Sequence, residues 1–183
     1  MTLKLSTLTV ALGVGYALPQ LYAIGNPKRY AESLRQFPRS LSWGYALMLF
    51  ATVWFLYNVS LESIADFAAY KKHMILAFGA IGVGACFFLK DFLAVRGLAV
   101  VLLLVAKLMV DTGRPHLGES PWILVNQTLA YALVVLGVWL TISPWRLRDW
   151  IQWNTADDRR LKMGAALRLA CALGFAALGF FVF

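Results

Sequence analysis

The sequence predicts an all-α integral membrane protein of about six transmembrane helices, arranged as three hairpins and accompanied by amphipathic interfacial helices. Two observations carry this. The 183 residues are 61% hydrophobic and only 14% charged, with a mean hydropathy of +0.69, far from the composition of a soluble domain. The apolar residues also fall in long runs, each close to the roughly 20 residues a helix needs to cross a hydrocarbon core, joined by segments too short to fold alone. A single transmembrane domain over residues 1–183 accounts for the chain.

The runs place spans at about residues 5–24, 41–57, 73–89, 93–110, 121–142 and 163–182. The first follows a single cation, Lys4, and has no small-x-small cleavage site, so it reads as a retained span. The third and fourth are joined only by LKDFLAVRG, a tight corner, with a bent or re-entrant pair as the alternative. Five tryptophans, Trp43, Trp122, Trp145, Trp150 and Trp153, fall near span ends, where indole rings anchor at an interface.

The net charge of +8 comes from Lys and Arg clustered at span ends. That placement suits anionic headgroups and topology rather than nucleic acid. The segments after spans one, three and five, with the adjacent span ends, hold twelve cations: Lys28, Arg29, Arg35, Arg39, Lys90, Arg96, Arg146, Arg148, Arg159, Arg160, Lys162 and Arg168. The other face holds five: Lys4, Lys71, Lys72, Lys107 and Arg114. The imbalance predicts the first set in the cytoplasm and both termini outside, in a cytoplasmic membrane such as the bacterial inner membrane.

Two of the basic segments look alike. NPKRYAESLRQF, Asn26–Phe37, and SPWRLRDWIQWN, Ser143–Asn154, each start with a small polar residue and Pro and then become basic and amphipathic. Each lies between two spans, suggesting a weak repeat of residues 5–57 and 121–182. Tyr30, Leu34 and Phe37 share one helical face, as do Leu147, Trp150 and Ile151, so both segments read as helices in the headgroup layer. Lys28, Arg29, Arg35, Arg146, Arg148 and Trp150 are the candidate lipid or partner surface. A third surface helix is expected over Ser60–His73, capped by Ser60. For close packing, the small residues Gly13 and Ala17, Ala80 and Gly84, and Ala166, Ala170 and Gly174 stand at four-residue spacing.

Chemistry-bearing residues are sparse. KLMVDTGRP, Lys107–Pro115, fits K-x6-R-P and resembles the first signature of the type-2 phosphatidic acid phosphatase family, itself a six-span membrane fold. The resemblance covers nine residues and implies phosphate contacts for Lys107 and Arg114 alone. The family also carries P-S-G-H and S-R-x5-H-x3-D segments, each with an essential histidine downstream of the first signature. The two histidines here are His73 and His116, and His73 lies upstream, so one histidine would have to fill two roles. No catalytic residue is assigned.

A structural reading pairs Lys107 with Asp111 at i+4. The functional alternative is a polar transport site of Lys107, Asp111, Arg114 and Glu119, because ionisable groups inside a membrane are costly and often functional. Arg168 is expected to snorkel or to meet a buried partner such as Asp91. His73 and His116 share the outer face, which makes a haem or quinone pocket conceivable. Cys86 and Cys171 read as packing residues, Asn58 and Asn126 open weak glycosylation patterns, and no metal or cofactor set is expected. The functional expectation is a non-enzymatic accessory or scaffold subunit binding anionic headgroups, a protein partner or another copy of itself. A small transporter or channel is the alternative, ahead of a lipid-phosphate enzyme or a haem- or quinone-binding protein.

Overall fold

A computed structural model describes residues 4–62 and 70–183. The described residues are helical and contain no strand. Six helices are long and apolar enough to cross a membrane: α1 (Leu5–Gly25), α3 (Leu41–Leu61), α4 (Lys71–Phe88), α5 (Leu93–Gly113), α6 (Ile123–Ile142) and α8 (Asp158–Phe181). Two helices of ten residues, α2 (Pro27–Gln36) and α7 (Trp145–Asn154), complete the set.

The boundaries follow from local chemistry. Asn26-Pro27 ends α1 and starts α2: the Asn26 N–H closes α1 on the Tyr22 carbonyl, and the Asn26 carbonyl accepts from Tyr30 N–H. Proline suits the first position of a helix, where its missing N–H would have no partner. Ser143-Pro144 works the same way, with Ser143 N–H on the Trp139 carbonyl and Arg146 N–H on the Ser143 carbonyl. Ser40 caps α3 by accepting from Trp43 N–H. Helix α8 starts five residues before the expected span because Asp157 caps it, accepting from Arg159 N–H at 3.3 Å. The link from α4 to α5 is a tight corner in which Phe92 takes a left-handed backbone, φ 56°. An aromatic residue there carries about 1 kcal/mol of strain.

Most of the surface helix expected over Ser60–His73 lies outside the described residues. Its ends belong elsewhere: Ser60 sits in the last turn of α3, donating to the Tyr57 carbonyl rather than capping, and Lys71, Lys72 and His73 open α4.

The chain packs as two compact units. One gathers α1, α2, the end of α5, the start of α6, α7 and α8. Within it α1 and α8 run antiparallel at close range. A Cβ at Gly13 would stand 2.7 Å from both the Cβ and the backbone N of Ala176, and a Cβ at Gly179 would stand 2.9 Å from the Val10 N. Small residues allow this approach, and dispersion across it holds the pair. Leu8, Met109 and Ala130 form the core of the unit. The other unit gathers α3, α4, the start of α5 and the end of α6. There α3 and α4 run antiparallel, with the Phe55 and Phe78 rings edge to face at 5.2 Å, and Met48, Cys86 and Leu93 cluster.

Of the three small-residue rows read from the sequence, one is in contact. Gly13 and Ala17 are buried in the α1 contact. Ala80 is exposed, and Gly82 rather than Gly84 meets the Thr52 side chain. In α8 the row in contact is Ala165, Ala172 and Gly179, while Ala166, Ala170 and Gly174 face outward.

Large apolar side chains cover the outside. On α4, Leu76, Ile81, Phe87 and Phe88 are between 66% and 87% exposed.

Candidate functional site

Polar side chains gather at the two ends of the first unit. At the end marked by the α1 N-terminus and the α5 C-terminus, Lys107 Nζ donates to Asp111 Oδ2 at 2.5 Å, the i+4 pair expected from the spacing. Both side chains are about half exposed. Arg114 lies exposed in a 3-10 turn, Arg114–His116. Glu119 turns to His116, with Oε2 2.8 Å from Nδ1. The four candidate residues thus sit as one helix pair, one open arginine and one carboxylate taken by histidine. His73 lies exposed in the first turn of α4.

The sequence reading missed the two buried amides beside them. Asn126 and Gln127 stand on the inward face of α6, 1% and 8% exposed. Asn126 Nδ2 donates to the Met109 carbonyl at 3.1 Å. Asn126 Oδ1 and both polar atoms of the Gln127 amide are buried without a partner. Gly113 makes room for them, since a Cβ there would stand 2.6 Å from Gln127 Nε2. The signal was legible, because Asn and Gln inside an apolar run are costly unless they bond across helices. Asn126 had drawn notice only as a glycosylation pattern, and its burial closes that reading. Asn58, the other, bonds back to the Trp54 carbonyl within α3.

The opposite end of the unit is basic and aromatic. Arg35, the last basic residue of α2, reaches the residue after α7: its Nε donates to Thr155 Oγ1 at 2.8 Å and its Nη2 to the Thr155 carbonyl at 2.5 Å. Thr155 Oγ1 in turn donates to the Ile151 carbonyl at 2.8 Å. This fork joins the two surface helices across 120 residues of sequence. Arg35 is therefore a clamp, not a free surface cation. Ile151 and Asn154 form the buried face of α7, while Trp150 stays 48% exposed.

The other candidate surface residues lie on the same two helices, α2 and α7. Lys28, Arg29 and Arg146 are exposed, and Arg148 donates from Nε and Nη2 to Asp149 at 3.0 and 2.8 Å. Arg160 lies over the Trp153 ring, 4.8 Å from its centroid.

Arg168 sits behind this surface on α8. Its partner is not Asp91 but Gln20 of α1, whose Oε1 accepts from Arg168 Nε at 2.9 Å, and its guanidinium lies 5.8 Å from the Trp150 ring centroid. Gln20 is 3% exposed. Burial pushes the Tyr30 phenol above its ordinary value, while the positive charge of Arg168 and the Gln20 amide pull it back. Tyr30 is thus an uncharged phenol near neutral pH.

Among the described residues no three His, Cys, Asp or Glu side chains come together to hold a metal ion. No known protein family, no curated protein and no solved structure matches the chain.

Proposed function

We propose that this is a multi-pass membrane protein, threaded as six spans, that acts as an accessory or scaffold subunit by presenting its basic end to anionic headgroups and to a partner. The observation that carries the reading is the Arg35–Thr155 fork, which holds two basic helices as one surface. A fixed platform of this kind suits recognition better than two independent anchors, because its geometry is set before a ligand arrives. The exposed apolar flanks of α3, α4 and α6 support the membrane placement, since side chains such as Phe88 and Val135 are stable outward only against hydrocarbon. The twelve-to-five distribution of Lys and Arg supports placing the platform on the cytoplasmic side.

The test is lipid selection. In nanodiscs of equal phosphatidylglycerol and phosphatidylcholine, lipid retained on extraction should be enriched in phosphatidylglycerol. The combined variant Lys28→Gln, Arg29→Gln, Arg146→Gln and Arg148→Gln should bring the ratio close to the input, since each cation near the surface contributes about 1 kcal/mol toward anionic lipid. Unchanged enrichment in the variant would reject the platform.

The unpartnered Asn126 Oδ1 and Gln127 amide favour a second reading, a small transporter whose polar path passes Lys107 and Asp111. That reading predicts lost flux in Asp111→Asn and Gln127→Leu with insertion intact. If the site is only structural, Gln127→Leu should stabilise the fold by about 1 kcal/mol, because an apolar side chain replaces a buried amide with no bonds.

A further inference from the structure

We infer that Arg168 is the centre of a headgroup site that holds one anionic phospholipid by its phosphate; this deepens the proposed function and rests on its membrane placement. The starting point is a charge without a counter-charge. No carboxylate among the described residues reaches Arg168, whose one hydrogen bond is the Nε contact with neutral Gln20. The residue is partly buried and stands five positions inside the expected start of the sixth span at Met163, about 7.5 Å along the helix at 1.5 Å per residue. A cation inside a span calls for an anion, and the described residues supply none.

The surroundings are shaped to receive one. Gln20 fixes the Nε edge of the guanidinium and leaves Nη1 and Nη2 without hydrogen bonds, the pair of parallel donors that binds a phosphate through two oxygens. Next to them Gly164 keeps the approach to the guanidinium clear of a side chain. A Cβ there would stand 3.2 Å from Asn154 Oδ1, 3.4 Å from Arg168 Nη1 and 3.5 Å from Nη2. Asn154, whose Oδ1 is the atom nearest Gly164, is 4% exposed, and its Nδ2 is buried with no partner, an unsatisfied donor on the same side chain. Trp150 and the Tyr30 phenol supply amphipathic rings of the kind found at headgroup depth. Outward-facing Met163 and Leu167, 65% and 68% exposed on the same stretch of α8, give acyl chains an apolar flank. That flank favours a lipid phosphate over a soluble one, and the exposed Lys28, Arg29 and Lys162 on α2 and the first turns of α8 favour an anionic headgroup over one carrying its own cation.

The site is tested by mass spectrometry of the intact protein, delipidated and then titrated with phosphatidylglycerol, phosphatidylcholine or inorganic phosphate, with stepwise collisional activation. The wild type should keep one phosphatidylglycerol after the other adducts are stripped. Arg168→Gln should weaken that last equivalent at least tenfold, and Gly164→Ala, which leaves the arginine in place and fills the space beside it, should do the same. Lys72→Gln, an equal charge change at the start of α4, should keep it. The inference is overturned if either Arg168→Gln or Gly164→Ala retains the lipid, if Lys72→Gln loses it equally, if phosphatidylcholine is held as tightly, or if millimolar inorganic phosphate displaces it. The four-cation platform variant separates the two ideas. Loss of general enrichment there with the single equivalent kept upholds the Arg168 site, whereas that equivalent surviving in Arg168→Gln rejects the site and leaves the platform standing.

Discussion

Replacing Gly13 with valine is expected to force α1 from α8 and to lower stability by about 3 kcal/mol, the largest effect of any single substitution proposed here. The reason is that the obstruction is backbone. A Cβ at this position would lie 2.7 Å from the backbone N of Ala176 and 2.8 Å from the carbonyl oxygen of Ala172, and neither can swing aside as a side-chain tip could. Helices in hydrocarbon gain little from burying apolar surface against one another, so their attraction rests on close packing, which separation loses along the whole interface. Gly13→Ala should show the same sign at less than half the size. Gly15→Ala supplies the contrast, since nothing stands within 4 Å of the added methyl; it should be neutral or stabilising by up to about 1 kcal/mol through helix propensity. Unfolding in mixed micelles, followed by circular dichroism, measures all three.

The second large effect is expected at Arg35. Arg35→Ala removes both hydrogen bonds to Thr155 and should destabilise the protein by about 1–2 kcal/mol, at the low end for charge-assisted bonds because the side chain is exposed. Arg35→Lys should recover less than half. An ammonium is a point donor and cannot meet the hydroxyl and carbonyl of one residue with the fixed fork of a guanidinium. Thr155→Val removes the hydroxyl, which accepts from Arg35 Nε and donates to the Ile151 carbonyl, but leaves the Nη2 contact with the Thr155 carbonyl, and should destabilise in the same direction. Hydrogen exchange should locate the change, with faster exchange in α2 and α7. Equal exchange in wild type and Arg35→Ala would show that the fork does not hold the two helices.

The six long helices and the two short basic ones were legible in the sequence because each rests on a strong local signal: twenty apolar residues in a row, or a polar-proline pair followed by an amphipathic turn. The Lys107–Asp111 pair was legible for the same reason, since i+4 neighbours meet on any helix. The faces that pack were not. A helix that is apolar on every side has no preferred direction in its sequence. Rows of small residues therefore looked equivalent in α8, and only the structure distinguishes buried Ala165, Ala172 and Gly179 from outward Ala166, Ala170 and Gly174.

Long-range polar contacts were hidden for a different reason. Arg168 was expected to snorkel, with a buried partner such as Asp91 as the alternative, yet the residue that meets it is a neutral glutamine 148 positions away. Asn126, Gln127 and Asn154 each carry a weak signal, one amide among apolar or basic neighbours. Their importance emerges only when burial and missing partners are known. The basic character of one end was thus readable, but the fork that organises it and the open guanidinium behind it were not.

The proposed role as a membrane subunit meets its most direct test in the native membrane. The protein, tagged and expressed at its endogenous level, would be extracted with surrounding lipid in polymer-bounded discs and every co-migrating protein and lipid identified by mass analysis. The expected result is a partner in stoichiometric amount together with anionic phospholipid above its bulk fraction. Discs that contain this chain alone, with lipid in the bulk ratio, would contradict the subunit and platform readings and turn attention to flux through Lys107, Asp111 and the buried amides.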